Sequence, residues 1–197
     1  MKSYRVHSSA ETAESLTDFS LPWKSAQAPR TSFQAWTADG DFHFHFDIED
    51  HDIVLGETGS DDDRALASDR AEIFLASAAD LSPCYYALEM APSGLAFVSK
   101  VKFHRKVDAS FNMPGLEFTG SLLAHGYTVT GKIALSTLRE LNLIHNQQMI
   151  AGLYRAEFSH STNGDITKDW ISWVDPLTPT PDFHVPSSFG RFIFDGM

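Results

Sequence analysis

Arg70, Glu72, Tyr85 and Glu89 are the residues whose types and parity most directly suggest recognition chemistry. They fall in residues 68–94, S-D-R-A-E-I-F-L-A-S-A-A-D-L-S-P-C-Y-Y-A-L-E-M-A-P-S-G, which read as two strands joined by a turn-rich loop. Successive side chains of a strand point to opposite faces, so Ala71, Ile73 and Leu75 form one set and Arg70, Glu72 and Phe74 the other. In the return strand Tyr86, Leu88 and Met90 are the apolar set, and Tyr85, Ala87 and Glu89 the mixed one. If the apolar sets share a core, Arg70, Glu72, Phe74, Tyr85 and Glu89 occupy one opposite face, predicted to be exposed. There Arg70 offers a planar fork to vicinal hydroxyls, and Glu72 and Glu89 are acceptors. The same parity also describes a solvated sheet surface crossed by ion pairs.

Two other groups carry potential chemistry. His43 and His45, at i and i+2 in the run D-F-H-F-H-F-D-I-E-D, point the same way, and Asp47 continues that face. Paired imidazoles can hold a transition metal, with His104 or His125 as a third ligand from elsewhere, so a metal-dependent enzyme remains an alternative. No nucleophile elbow, phosphate-binding glycine loop or CxxC accompanies them. The stretch 50–69 shifts to acidic and small residues, including Glu57 and the run Asp61-Asp62-Asp63, and reads as a long loop. Its oxygens suit calcium, with Asp47, Asp50, Asp61 and Asp63 as candidate ligands, although the spacing is not that of the helix-flanked calcium loop.

The elements that must position these groups are mostly strands. Residues 3–7 and 31–38 read as strands, and Asp39-Gly40 marks a tight hairpin turn into 41–50. There Phe42, Phe44, Phe46 and Ile48 point to the core. Further strands are expected at 95–103, 118–123, 127–133, 148–158, 170–174 and 189–194, with an irregular basic segment at 100–115. The stretch 134–143 is the one convincing helix, with Thr137 and Glu140 at capping-box spacing and Leu138 and Leu141 at i and i+3. Asn163-Gly164 signals a turn, and the proline-rich 175–186 should lie across the surface. Trp36 and Trp173 are expected in the core. Nine or ten short strands with one short crossover helix predict an all-β antiparallel β-sandwich, jelly-roll or immunoglobulin-like, spanning residues 1–197 as a single domain.

Composition narrows the partners. With 43% hydrophobic and 21% charged residues the chain is expected to be ordered, and a net charge of −11 argues against nucleic acid and anionic membranes. A neutral or cationic ligand is the easier partner for such a surface. The single cysteine, Cys84, excludes an intramolecular disulfide framework. Residues 1–6 have no apolar signal region, and no run reaches membrane-spanning length.

S-D-R-A-E-I-F-L (68–75), I-S-W-V-D-P (171–176) and P-D-F-H-V-P-S-S-F-G-R-F-I-F (181–194) resemble the pattern of carbohydrate-binding module family 9. The strand-turn-strand W-T-A-D-G-D-F-H-F-H-F-D-I-E-D (36–50) is similar to the one that opens that domain, and the resemblance covers roughly residues 31–194. It implies a β-sandwich that binds sugars without cleaving them, in proteins commonly extracellular or periplasmic, linked to polysaccharide degradation and often containing calcium. The characterised members clamp a terminal sugar between two tryptophans. Carried over by position, the acidic residue of the motif is Glu72, the clamp positions hold Leu66 and Phe183, and the return-strand arginine falls near Ala87. Three of those four positions depart from the pattern. Phe183, Tyr85 or Trp170 remain able to stack on the apolar face of a pyranose. The resemblance also raises haem binding, through Met90, Met113 or Met149, as a further alternative.

Overall fold

The alternating phenylalanines of residues 41–49 form a strand that buries Phe42, Phe44 and Phe46 completely and leaves the histidines between them on the other side. The turn before it requires positive φ at both Asp39 (52°) and Gly40 (83°), the conformation for which this residue pair is suited. The computed structural model describes residues 1–196. Its strands are β1 (Ser3–Val6), β2 (Thr31–Ala38), β3 (Asp41–Glu49), β4 (Arg70–Ala76), β5 (Tyr85–Met90), β6 (Ala96–Lys102) and β7 (Lys106–Asp108). They continue with β8 (Glu117–Leu123), β9 (Gly126–Ala134), β10 (Ile144–His145), β11 (Gln148–His160), β12 (Ile166–Ser172) and β13 (Gly190–Phe194). Helices α1 (Asp61–Leu66) and α2 (Leu135–Glu140) complete the set.

The strands stack as two sheets, a β-sandwich as expected. The smaller sheet has the order β2-β3-β9-β8. The larger has the order β1-β13-β11-β4-β5-β6-β7, with β10 and β12 also paired to β11. Neighbours run antiparallel except β1 and β13, which are parallel. Between the sheets Phe42, Phe44 and Phe46 meet Ile73, Leu75, Tyr86 and Leu88, so the expected register of β4 and β5 holds. A second apolar cluster lies on the outer face of the larger sheet: Phe74, Tyr85, Ala87 and Tyr154 beneath Phe183 and Phe189 of the crossing segment 175–189.

Four expectations need correction. The acidic stretch is not all loop, because Asp61-Asp62-Asp63 form the first turn of α1. Ser60 caps it, with the Asp63 backbone N–H donating to the Ser60 hydroxyl and the Ser60 N–H to the Asp63 carboxylate. Acids there also face the positive end of the helix dipole. Helix α2 is shorter than predicted and begins after Ala134 without a side-chain cap, so Thr137 is a buried helical residue rather than a cap. Among the described residues thirteen strands replace nine or ten: β7 interrupts the irregular segment and β10 is a short addition, while β12 begins earlier than expected, at Ile166. Trp173 is in the core at 1% exposure, but Trp36 is not. It lies on the outer face of the smaller sheet, stacked flat on its cross-strand partner His43 at 5.4 Å and 4°.

Candidate functional site

The two-residue period of β4 and β5 brings Glu72 directly opposite Glu89, on the face away from the inter-sheet core. Arg70, two residues before Glu72, shares that face. Its Nε donates to Glu89 Oε2 at 2.8 Å and stands 3.1 Å from Glu72 Oε1. Nη1 donates to the carbonyls of Leu66 at 3.0 Å and Ser68 at 3.3 Å, tying the guanidinium to the end of α1. One Nε–H serves one acceptor, so Glu72 Oε1 has the nearby charge without a hydrogen bond.

The expectation that this face is exposed is wrong. Arg70, Glu72 and Glu89 are 4%, 1% and 7% exposed, because residues 181–184 of the crossing segment and the rings of Phe158 and Trp170 enclose them. Phe183 stacks on Tyr154 at 4.2 Å, and the Tyr154 hydroxyl meets Ser188 Oγ at 2.7 Å. Gly152 makes room for that ring, since a Cβ there would collide with the Tyr154 hydroxyl. Asp182 joins the segment to the β6–β7 turn, accepting from Arg105 at 2.9 Å and pairing with His104 at 2.7 Å. Between this crossing and the sheet lies a cavity of about 300 Å³. Arg70, Glu72 and Glu89 are its floor, Trp170, Phe183 and Leu66 its apolar walls, and Arg105, Asp182 and His184 its rim.

Electrostatics follow from the enclosure. Burial, then the charge of Glu89, raises the Glu72 carboxyl from 4.5 to about 8 despite Arg70. Burial raises Glu89 as well, against the opposing pull of Arg70. Two buried carboxylates facing one guanidinium retain a proton between them near neutrality. Burial lowers His184 to about 4, with the charge of Arg105 adding, so its imidazole is neutral. Burial also opposes ionisation of Asp182, but hydrogen bonds from His104, the His184 N–H and Arg105 outweigh it and hold the carboxyl below its usual range.

Five of the six ligand-binding candidates from sequence, Arg70, Glu72, Glu89, Trp170 and Phe183, line this one cavity. Tyr85 does not. Its ring is fully buried against Phe74 and Phe189, and its hydroxyl shares a 2.6 Å hydrogen bond with His184 Nδ1 beneath the rim. Sequence reading missed Arg105, Asp182 and His184. Arg105 and Asp182 are 77 positions apart, and no local spacing connects them. Ala87 carries no guanidinium, and Arg105 brings one to the cavity from the adjacent turn.

The alternative centres do not assemble. His45 Nδ1 is bonded to Thr130 Oγ1 at 2.7 Å, His43 Nε2 lies 3.3 Å from the Ala38 carbonyl, and Asp47 pairs with Arg30. His104 is held by Asp182, and His125 packs against His51. Met90, Met113 and Met149 are buried in the inter-sheet core.

The proposed calcium ligands also separate: Asp47 pairs with Arg30, Asp61 with Arg64, and Asp63 caps α1. Asp50 instead joins Asp69 and Glu157, whose ligand atoms lie within 4.8 Å of one another. These residues do not fit calcium, because the fully buried Arg155 guanidinium already stands among them. Its Nη2 is 3.3 Å from Asp50 Oδ2 and contacts Glu157. Calcium needs six to eight oxygen ligands, whereas both Asp69 oxygens here accept backbone N–H groups, from Val54 and Phe158.

A profile described as "Carbohydrate family 9 binding domain-like" matches residues 5–197. Among solved structures, a candidate carbohydrate-binding protein of Bacteroides uniformis ATCC 8492 superposes with a TM-score of 0.75 at 15% identity, covering 98% of this chain and 99% of that one. A family 9 carbohydrate-binding module of Caldicellulosiruptor kristjanssonii superposes in its glucose complex with a TM-score of 0.60 at 15% identity, covering 100% and 97% of the two chains. Its cellotriose complex gives 0.63 at 15% identity, with 100% and 95% covered. No curated protein matches the sequence. At such identities the superpositions establish a shared fold, while the profile spans nearly the whole chain: this protein belongs to the carbohydrate family 9 binding domain-like family.

Proposed function

We propose that this chain binds carbohydrate without cleaving it, taking a monosaccharide or the end of a longer sugar into the cavity between the larger sheet and the segment 175–189. The observation that carries this reading is the cavity's composition: buried charged groups, Arg70, Glu72 and Glu89, lie beside the aromatic walls Trp170 and Phe183. Sugars present hydroxyls at their edges and apolar C–H faces, and such a floor and wall match both. A volume of about 300 Å³ suits one or two sugar rings rather than a long chain. Family membership and the glucose- and cellotriose-bound neighbours support the same class of ligand.

The engagement of both carboxylates by one arginine supports binding without hydrolysis. Glycosidases place two carboxyl groups on either side of the scissile bond. Here Glu72 and Glu89 are both held against one guanidinium, at 3.1 and 2.8 Å from Arg70 Nε, which engages the two carboxyls as one ion-pair cluster.

A glycan array followed by calorimetry with the sugars it identifies, and with glucose and cellotriose, tests the proposal. Expected are saturable binding, a change in tryptophan fluorescence from Trp170, and no release of reducing ends on prolonged incubation. No binding across the array, or binding that survives Trp170→Ala unchanged, would reject this cavity as a sugar site.

A further inference from the structure

With both carboxyls ionised, the cavity floor would carry one negative charge more than the protein groups around it compensate. Glu72 and Glu89 face a single guanidinium, whose Nε–H is directed to Glu89 and whose Nη1 is directed to two carbonyls. Glu72 Oε1 is left without a hydrogen-bond donor, in a side chain only 2% exposed that lines the cavity. The other groups facing it do not make up the deficit. Arg105, from the β6–β7 turn, is paired with Asp182, and His184 on the crossing segment is neutral. Tyr154, opposite Glu72 on β11, keeps its phenolic proton.

We propose that this pocket, if it is a carbohydrate site as argued above, prefers a sugar terminus bearing a free primary amine, with the ammonium group seated on Glu72 between Trp170 and Phe183. An ammonium donates a charge-assisted hydrogen bond to the oxygen that lacks one, and aromatic faces attract a cation. A hydroxyl supplies the hydrogen bond but not the charge. N-acetylation removes the cation, and a uronate brings a further carboxylate to a floor that already holds two.

In the free protein the deficit is met by the proton that burial keeps on the Glu72–Glu89 pair. That proton competes with the ammonium group. The preference for an amine should therefore grow as pH rises from 5 to 7, while affinity for a neutral sugar changes little.

Calorimetry with D-glucosamine, D-glucose, N-acetyl-D-glucosamine and D-glucuronate at pH 5 and pH 7 tests this. At pH 7 D-glucosamine should bind at least tenfold more tightly than D-glucose, as expected of roughly one added charge-assisted contact, and D-glucuronate most weakly. Glu72→Gln should remove the difference between D-glucosamine and D-glucose. If D-glucose binds as tightly as D-glucosamine in the wild-type protein, or if folded Glu72→Gln retains the preference, the assignment of an amine to Glu72 is wrong while the carbohydrate reading stands. Failure of all four sugars together with a blank glycan array overturns both.

Discussion

Replacing Glu72 by glutamine should stabilise the protein at neutral pH and leave its stability nearly unchanged near pH 5. The Glu72 carboxyl is raised from 4.5 to about 8 in the fold, so between these values the folded state holds a proton that the unfolded chain releases. Stability from this group is fully present below pH 4.5 and is lost as pH rises towards 8. Every pH unit climbed within that window removes about 1.4 kcal/mol, so at pH 7 the loss is roughly 3 kcal/mol, shared by the coupled Glu72–Glu89 pair. Glutamine has the shape of the protonated acid, and its amide can donate to Glu89 without titrating. For a chain of this length roughly 3 kcal/mol corresponds to about 6–12 °C in Tm, shrinking to about 1–3 °C at pH 5. Asp69 and Glu157, raised mainly by burial to about 7 and about 8, tilt the same curve but are present in both proteins and cancel in the comparison. Calorimetric melting of both proteins from pH 5 to pH 8 reads the difference. A variant that melts below the wild type, by a margin that widens towards pH 8, would mean that Glu72 is ionised in the fold and stabilised by Arg70.

Two further substitutions separate binding from folding. Trp170→Ala, at a partly exposed wall, should reduce sugar affinity roughly tenfold or more with a modest change in Tm, whereas Phe183→Ala should also cost about 3–5 kcal/mol by emptying the stack on Tyr154. Calorimetric titration beside thermal melting distinguishes them, and equal losses of stability would assign Trp170 a packing role. Arg155→Ala should cost about 3–5 kcal/mol by leaving Asp50 and Glu157 buried without their counter-ion. Millimolar calcium should restore part of that loss in the variant, while neither calcium nor a chelator should move the wild-type Tm. A wild-type Tm lowered by chelation would place a metal ion where the guanidinium stands.

Parity made the floor of the site legible in the sequence. A strand alternates with period two, so Arg70, Glu72 and Glu89 could be assigned to one face from the apolar residues between them. Their burial was not legible, because what covers them includes Asp182, Phe183 and their neighbours, roughly a hundred positions further along and in a proline-rich run with no periodicity. Arg105 escaped for the same reason: its role depends on meeting Asp182 across a turn. The acidic run misled in a different way. Three consecutive aspartates resemble a solvated or calcium-binding loop, yet the same residues are favourable in the first turn of a helix when a serine precedes them. Trp36 was assigned inward because tryptophan is usually buried, although its parity with Gln34 already placed it on the polar face of β2.

The two buried arginines of the larger sheet stand in different surroundings, and only one of them lines the cavity proposed as a sugar site. Arg70 pairs in register with Ala156, and Arg155 with Ala71, so adjacent rungs of the β4–β11 ladder send guanidinium groups to opposite faces. Each meets two carboxylates. Arg155 points between the sheets, where Asp50 and Glu157 close around it, Thr31 receives a hydrogen bond from Nη1 at 3.4 Å, and Tyr127 lies 5.9 Å from it. These partners come from the protein and the group joins the two sheets, although Arg155 Nε, Glu157 Oε2 and the Tyr127 hydroxyl have no hydrogen-bond partner there. Arg70 points outward, where the crossing segment covers the side chains but stops short of filling the space above them. There Glu72 Oε1 remains without a donor, and its side chain lines the cavity. A buried acceptor left unsatisfied costs about 1–3 kcal/mol, and a ligand that supplies the missing donor recovers that energy as binding. The position that weakens the fold at neutral pH is therefore also the one from which a sugar would gain most.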